Sequence, residues 1–205
     1  MTLNFVLTKK MLRLKTLRET LNQESVGPII RRFFINTLFD STFMLLGIIV
    51  GSAFVGDAGL NVIIVTMLTT SLALGISTGV SVYEAESLEQ ERKIADLEKA
   101  LFTNLKETSI QKNAKYTVLL ATLINFATPL FSCALTITPF VLASIGILHL
   151  NIAGWASVAL ALGTLFGAGV YMGRIGKTNP YKKGLRMVAF GALAFTIGFL
   201  LDLLI

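Results

Sequence analysis

The charged positions of this chain are confined to short blocks, and the intervals between them are long and apolar. Residues 58 to 83 contain no Asp, Glu, Lys or Arg, and neither do residues 116 to 173. Each interval exceeds the roughly 20 residues that cross a hydrocarbon core as a helix, and the second accommodates two crossings joined by a short turn. Phe33 to Gly56 is interrupted by one charge, Asp40, and Met187 to Ile205 only by Asp202. The pattern predicts an all-α polytopic membrane protein with five transmembrane helices, at 33–55, 60–83, 116–138, 152–173 and 187–204. Pro129 and Pro139 lie in or near the third span, so that helix is expected to kink or to end early.

Composition agrees with this pattern. Of the 205 residues 54% are hydrophobic and 15% charged, against about 25% charged in a soluble domain. A disordered chain is excluded by the same figures. The formal charge of +6 rests on 18 Lys and Arg residues, and their positions matter more than their sum. They fall in three clusters, Lys9 to Arg32, Arg92 to Lys115 and Arg174 to Arg186. If positive loops stay in the cytoplasm, each pair of neighbouring clusters must be separated by an even number of crossings, and each interval does accommodate two helices. The N-terminus is then cytoplasmic, while the connections near Asp57 and from His149 to Asn151, and the C-terminus, lie on the opposite side. In a prokaryote this would be the cell membrane. Topology accounts for the basic residues, so nucleic acid is not an expected partner; membrane lipid is. A lone cysteine, Cys133, provides neither an intramolecular disulfide nor a Cys-based zinc site.

The predicted organisation is a cytoplasmic basic segment (1–32), transmembrane helices one and two (33–83), a cytoplasmic acidic helical segment (84–115) and helices three to five (116–205). In the first segment Leu3, Leu7, Met11, Leu14, Leu17 and Leu21 recur at helical spacing beside Lys9, Lys10, Arg13, Lys15 and Arg18. That pattern suits a helix lying in the membrane interface and leading through Gly27-Pro28 into the first span; a solvated arm is the alternative. It lacks the uninterrupted apolar run of a cleavable signal peptide.

Asp40 is the only charge well inside a span. A carboxylate there is costly, and such groups face a bundle interior or a water-filled path, where they pair with a cation or carry a proton. Asn36, Asp40 and Met44 are spaced i, i+4, i+8, so an amide oxygen, a carboxylate and a thioether share one helical face. That mixed oxygen and sulfur set suits a borderline divalent transition metal better than calcium. The second span carries Thr66, Thr69, Thr70, Ser71, Ser77, Thr78 and Ser81 with Gly75 and Gly79, a GxxxG that invites close helix approach. Beyond it Glu84, Glu91 and Glu98 repeat every seven residues, as do Ile94 and Leu101, so the helix is expected to continue past the membrane. Its acidic face either collects cations or is simply solvated while the apolar stripe packs on a partner subunit.

With these residues placed, the sequence resembles the vacuolar iron transporter family. The resemblance rests on Phe39-Asp40-Ser41-Thr42-Phe43 with Leu45-Leu46-Gly47-Ile48-Ile49-Val50-Gly51, on Gly75-Ile76-Ser77-Thr78-Gly79-Val80-Ser81-Val82-Tyr83 before a Glu-rich helix, and on Gly173-Arg174, Asn179-Pro180 and Gly184-Leu185-Arg186-Met187. It implies a homodimer of five-helix subunits with a metal path between the two first helices, an acidic cytoplasmic domain, and exchange of divalent iron or manganese for protons. Asp40 matches the family's membrane aspartate, and Glu84 to Glu98 the start of its acidic helix. Two positions depart: Thr78 stands where the family has a methionine, and Thr70 where it has a glutamate. Met44 is the candidate replacement thioether, and the cytoplasmic domain is reduced.

The sequence reading is therefore a transporter moving iron or manganese out of the cytoplasm, with no resident cofactor and no enzymatic activity. Its candidate metal residues are Asp40, Asn36, Met44, Thr70, Thr78, Glu84, Glu91 and Glu98. The rival reading is a non-transporting membrane scaffold or regulatory subunit that docks partners on its acidic helix. An intramembrane enzyme is disfavoured, since the single His149 lies at an interface and Asp40 has no second carboxylate in its own membrane region.

Overall fold

The computed structural model describes residues 26–55, 58–106 and 108–204. The expected N-terminal interfacial helix lies outside these residues. Five helices follow in chain order: α1 (Val26–Ile49), α2 (Leu60–Leu101), α3 (Ser109–Ser144), α4 (Leu150–Ile175) and α5 (Pro180–Leu204). A π-helical stretch, Val50–Val55, prolongs α1. All five are long and apolar enough to cross a membrane, and the described residues contain no strand. The protein is an all-α polytopic membrane protein.

Helix limits differ from the sequence expectation where local signals were missed. Among the described residues the first helix is already formed at Val26, ahead of the predicted span start at 33. The third helix passes through both Pro129 and Pro139 and ends only at Ser144; neither proline ends it. As the seven-residue repeat predicts, the second helix runs unbroken to Leu101, carrying its acidic residues beyond the apolar interval. Asn179 sets the start of α5, its side-chain oxygen accepting the N–H groups of Tyr181 (3.1 Å) and Lys182 (3.4 Å).

The chain divides into two compact units, and α1, α2 and α3 each run through both. One unit takes residues up to Phe34 and Ser77–Asn125; the other takes Ile35–Ile76 and Phe126–Ile205. The larger unit holds a core drawn from four helices: Leu45, Leu46 and Ile49 of α1, Ile63 and Met67 of α2, Cys133, Ile137 and Phe140 of α3, and Ala153, Val158, Ala161 and Leu165 of α4. Met187 and Phe195 of α5 pack on it. Lipid tails are as apolar as these side chains, so close packing and buried hydrogen bonds must hold the helices together. Small residues allow that approach. A Cβ at Gly169 would lie 2.8 Å from the Gly184 Cα, and one at Gly173 only 2.5 Å from the Pro180 Cα. The GxxxG of α2 works as expected at Gly75, where a Cβ would lie 2.7 Å from the Phe126 carbonyl oxygen. At the end of the π-helical stretch, Phe54 meets Trp155 edge-on, with ring centroids 4.9 Å apart, and Phe195 at 5.9 Å.

Candidate functional site

The two faces of α1 differ sharply. Ile35, Thr37, Leu38, Ser41, Thr42, Leu45, Leu46 and Ile49 are buried, whereas Asn36, Asp40, Met44, Gly47 and Gly51 are exposed. Buried hydroxyls fix this rotation. Ser41 and Thr42 both donate to the Leu38 carbonyl, at 3.0 and 2.7 Å, and the Thr42 hydroxyl also meets that of Ser132 on α3 at 3.0 Å. With this face committed to the core, Asn36, Asp40 and Met44 are brought together on the outward face. The Asp40 carboxylate has no hydrogen bond or ion pair with any described residue; the one ion pair among them is the exposed Lys93–Glu89 contact at 3.3 Å.

The remaining candidates are placed differently. Thr70 is half-buried on α2. Thr78 donates to the Asn125 carbonyl at 3.2 Å, and Asn125, itself fully buried, donates from its amide to the Ala121 carbonyl at 2.9 Å. The Thr78 hydroxyl thus serves the α2–α3 contact. Glu84 and Glu91 are exposed. Glu98 is already employed, its carboxylate accepting the Leu105 N–H at 2.8 Å. Among the described residues, no three His, Cys, Asp or Glu side chains gather where they could hold a metal ion.

One carboxylate escaped the sequence reading. Glu86 is 4% exposed, the only buried charged side chain among the described residues, and accepts the Gln90 amide at 2.8 Å. A signal for it exists: the buried positions Ile63, Met67, Ser71, Gly75, Gly79 and Val82 advance in steps of three or four, and the next step lands on Glu86. The same part of α2 lines two clefts. One, of about 430 Å³, takes Glu86 and Glu89 with Arg32 and Phe33 of α1. The other, of about 550 Å³, takes Tyr83 and Glu91 with Lys115 and Leu119 of α3.

No family model and no solved structure matches this chain. It is 32% identical over 187 residues to the uncharacterized protein MJ0645 of Methanocaldococcus jannaschii, an alignment covering 90% of this chain and 92% of the relative. An identity of this size, sustained along nearly the whole of both proteins, places the chain in the same protein family as MJ0645.

Proposed function

We propose that the protein is a homodimeric transporter that moves a divalent transition metal, iron or manganese, out of the cytoplasm in exchange for protons. The observation that carries this reading is the Asp40 carboxylate. It is exposed on a membrane-length helix and has no partner among the described residues of its own chain. It lies eight residues beyond Arg32, about 12 Å along the axis at the usual helical rise, and so out of reach of the charged end. Left facing lipid, an aspartate costs about 2.5–3.5 kcal/mol. A second copy of α1 related by a twofold axis covers this face and brings two Asp40 groups together. Two facing carboxylates repel unless a cation or a proton sits between them, which is the exchange that the transport cycle needs. Asn36 and Met44, one turn to either side, supply amide oxygen and thioether, ligands suited to a borderline metal.

The basic clusters orient the acidic end of α2 toward the cytoplasm, where Glu84 and Glu91 raise the local cation concentration. Thr70 contributes a hydroxyl on α2, whereas the Thr78 proton is committed to the Asn125 carbonyl, leaving only its lone pairs for a cation. The scaffold reading retains one supporting observation, since the exposed glutamates of α2 form no cage. Uptake of iron, manganese, zinc and calcium into proteoliposomes, with and without a pH gradient, separates the two. Asp40→Ala abolishes uptake while the dimer persists if the proposal holds. Undiminished uptake by the variant refutes the role of Asp40, and no uptake by the unmodified protein favours the scaffold.

A further inference from the structure

The larger cleft sits where α2 and α3 both change character. The charge-free interval of α2 ends at Tyr83, with Glu84 next, and that of α3 begins at Tyr116, just after Lys115. The cleft straddles both boundaries. At its apolar end stand Tyr83, Val118 and Leu119; further along α2 and further back along α3 stand Gln90, Glu91 and Lys115. Tyr83 and Leu119 are each about half exposed, at 49% and 48%, so this end of the cleft is open at the protein surface. Glu91 and Lys115 are exposed, and neither takes part in an ion pair among the described residues. An anion and a cation therefore line one cavity without neutralising each other. Its volume of about 550 Å³ lies within the range of small-ligand sites.

We infer that this cleft binds the headgroup of a zwitterionic aminophospholipid from the adjoining leaflet. Lys115 takes the phosphate as a charge-assisted hydrogen bond, and Glu91 takes the primary ammonium. The glycerol and the first acyl carbons lie along Val118 and Leu119, with the Tyr83 ring at the headgroup level that aromatic side chains favour. The order of groups along the lipid, ammonium then phosphate then hydrocarbon, follows the order of the lining from its polar to its apolar end. A soluble zwitterion would leave the apolar end unfilled. Glu91 is the one residue this cleft shares with the proposed cation-collecting face, and lipid affinity reads its role here without reference to transport.

Native mass spectrometry of the full-length protein, titrated with defined lipids, tests it. Phosphatidylethanolamine should bind about tenfold more tightly than phosphatidylcholine, whose quaternary ammonium has no N–H to give Glu91, and more tightly than phosphatidylglycerol. Lys115→Ala should lower phosphatidylethanolamine affinity about tenfold, and Glu91→Gln should erase the preference over phosphatidylcholine. Both side chains are exposed, so neither change threatens the fold, and Lys99→Ala, outside the cleft, serves as control. Equal binding of the three lipids overturns the proposal. So does binding unchanged in both variants, or soluble phosphoethanolamine competing as strongly as the intact lipid.

Discussion

The Thr42 hydroxyl lies 3.0 Å from the Ser132 hydroxyl, joining α1 to α3 in the buried core. A hydroxyl has one proton. Thr42 spends its own on the Leu38 carbonyl at 2.7 Å, so Ser132 is the donor between helices. The two partners are therefore unequal. Thr42→Val removes the acceptor and leaves the Ser132 hydroxyl to bond within its own helix, whereas Ser132→Ala leaves Thr42 bonded to Leu38. Thermal melts in detergent should show Thr42→Val costing about 1 kcal/mol and Ser132→Ala less, within the range of interhelical bonds in membranes. The double variant should cost no more than the sum of the two, with a coupling of about 0.5 kcal/mol.

That anchoring turns Asp40 outward, which separates its role in function from any role in folding. Having no partner among the described residues of its own chain, Asp40 contributes nothing to the stability of the single subunit. Asp40→Leu should leave the melting temperature in detergent unchanged or raise it, because it replaces a carboxylate on an apolar helix. Metal uptake should fall to the level of empty liposomes in the same preparation. A variant that unfolds would instead place Asp40 in the structural framework.

The glycines divide into two groups with opposite expectations. Gly75→Ala drives a methyl to 2.7 Å from the backbone oxygen of Phe126, an atom that cannot swing aside. The helices must separate, and a loss of about 1–3 kcal/mol is expected. Gly167 is exposed on α4, and a Cβ there meets nothing within 4 Å. Gly167→Ala should be neutral or stabilise by about 0.5–1 kcal/mol through helix propensity. Parallel melts of the two variants check both signs.

The five spans were legible because water-avoidance is written along the chain as charge-free intervals of membrane length, and the helical repeat of Asn36, Asp40 and Met44 fixed which residues share a face. What those intervals cannot show is where a helix stops outside the membrane. Pro129 and Pro139 read as a kink or an early end, yet both lie inside α3, which runs on to Ser144. Spacing also cannot say which hydroxyls and carboxylates already have partners. Thr78 and Glu98 are candidate metal residues by sequence, and each is bonded to backbone. Glu86 was overlooked because it was read with the acidic face, although the buried stripe of α2 leads directly to it.

The end of α2 shows what Glu98 does. Phe102 adopts the left-handed region (φ 49°) just past Leu101, and the Thr103 N–H returns to the Glu98 carbonyl at 3.3 Å, the closing bond of a Schellman turn. Glycine is the usual residue at that position, since a side chain there costs about 1–2 kcal/mol. Phe102 is 96% exposed, so burial returns none of that cost. The Glu98 carboxylate completes the turn by accepting the N–H of buried Leu105. Phe102→Gly should therefore slow hydrogen exchange at Thr103 and Leu105 by up to about fivefold, for roughly 1 kcal/mol of relieved strain. Glu98→Ala should speed exchange at Leu105 while leaving the middle of α2 untouched. Manganese then separates capping from metal capture. If Glu98 is a cap, adding the ion leaves Leu105 exchange unchanged; if the ion recruits the carboxylate, the Leu105 N–H is released and exchanges faster. The 2.8 Å bond favours the first outcome, and observation of the second would restore Glu98 to the metal-binding set.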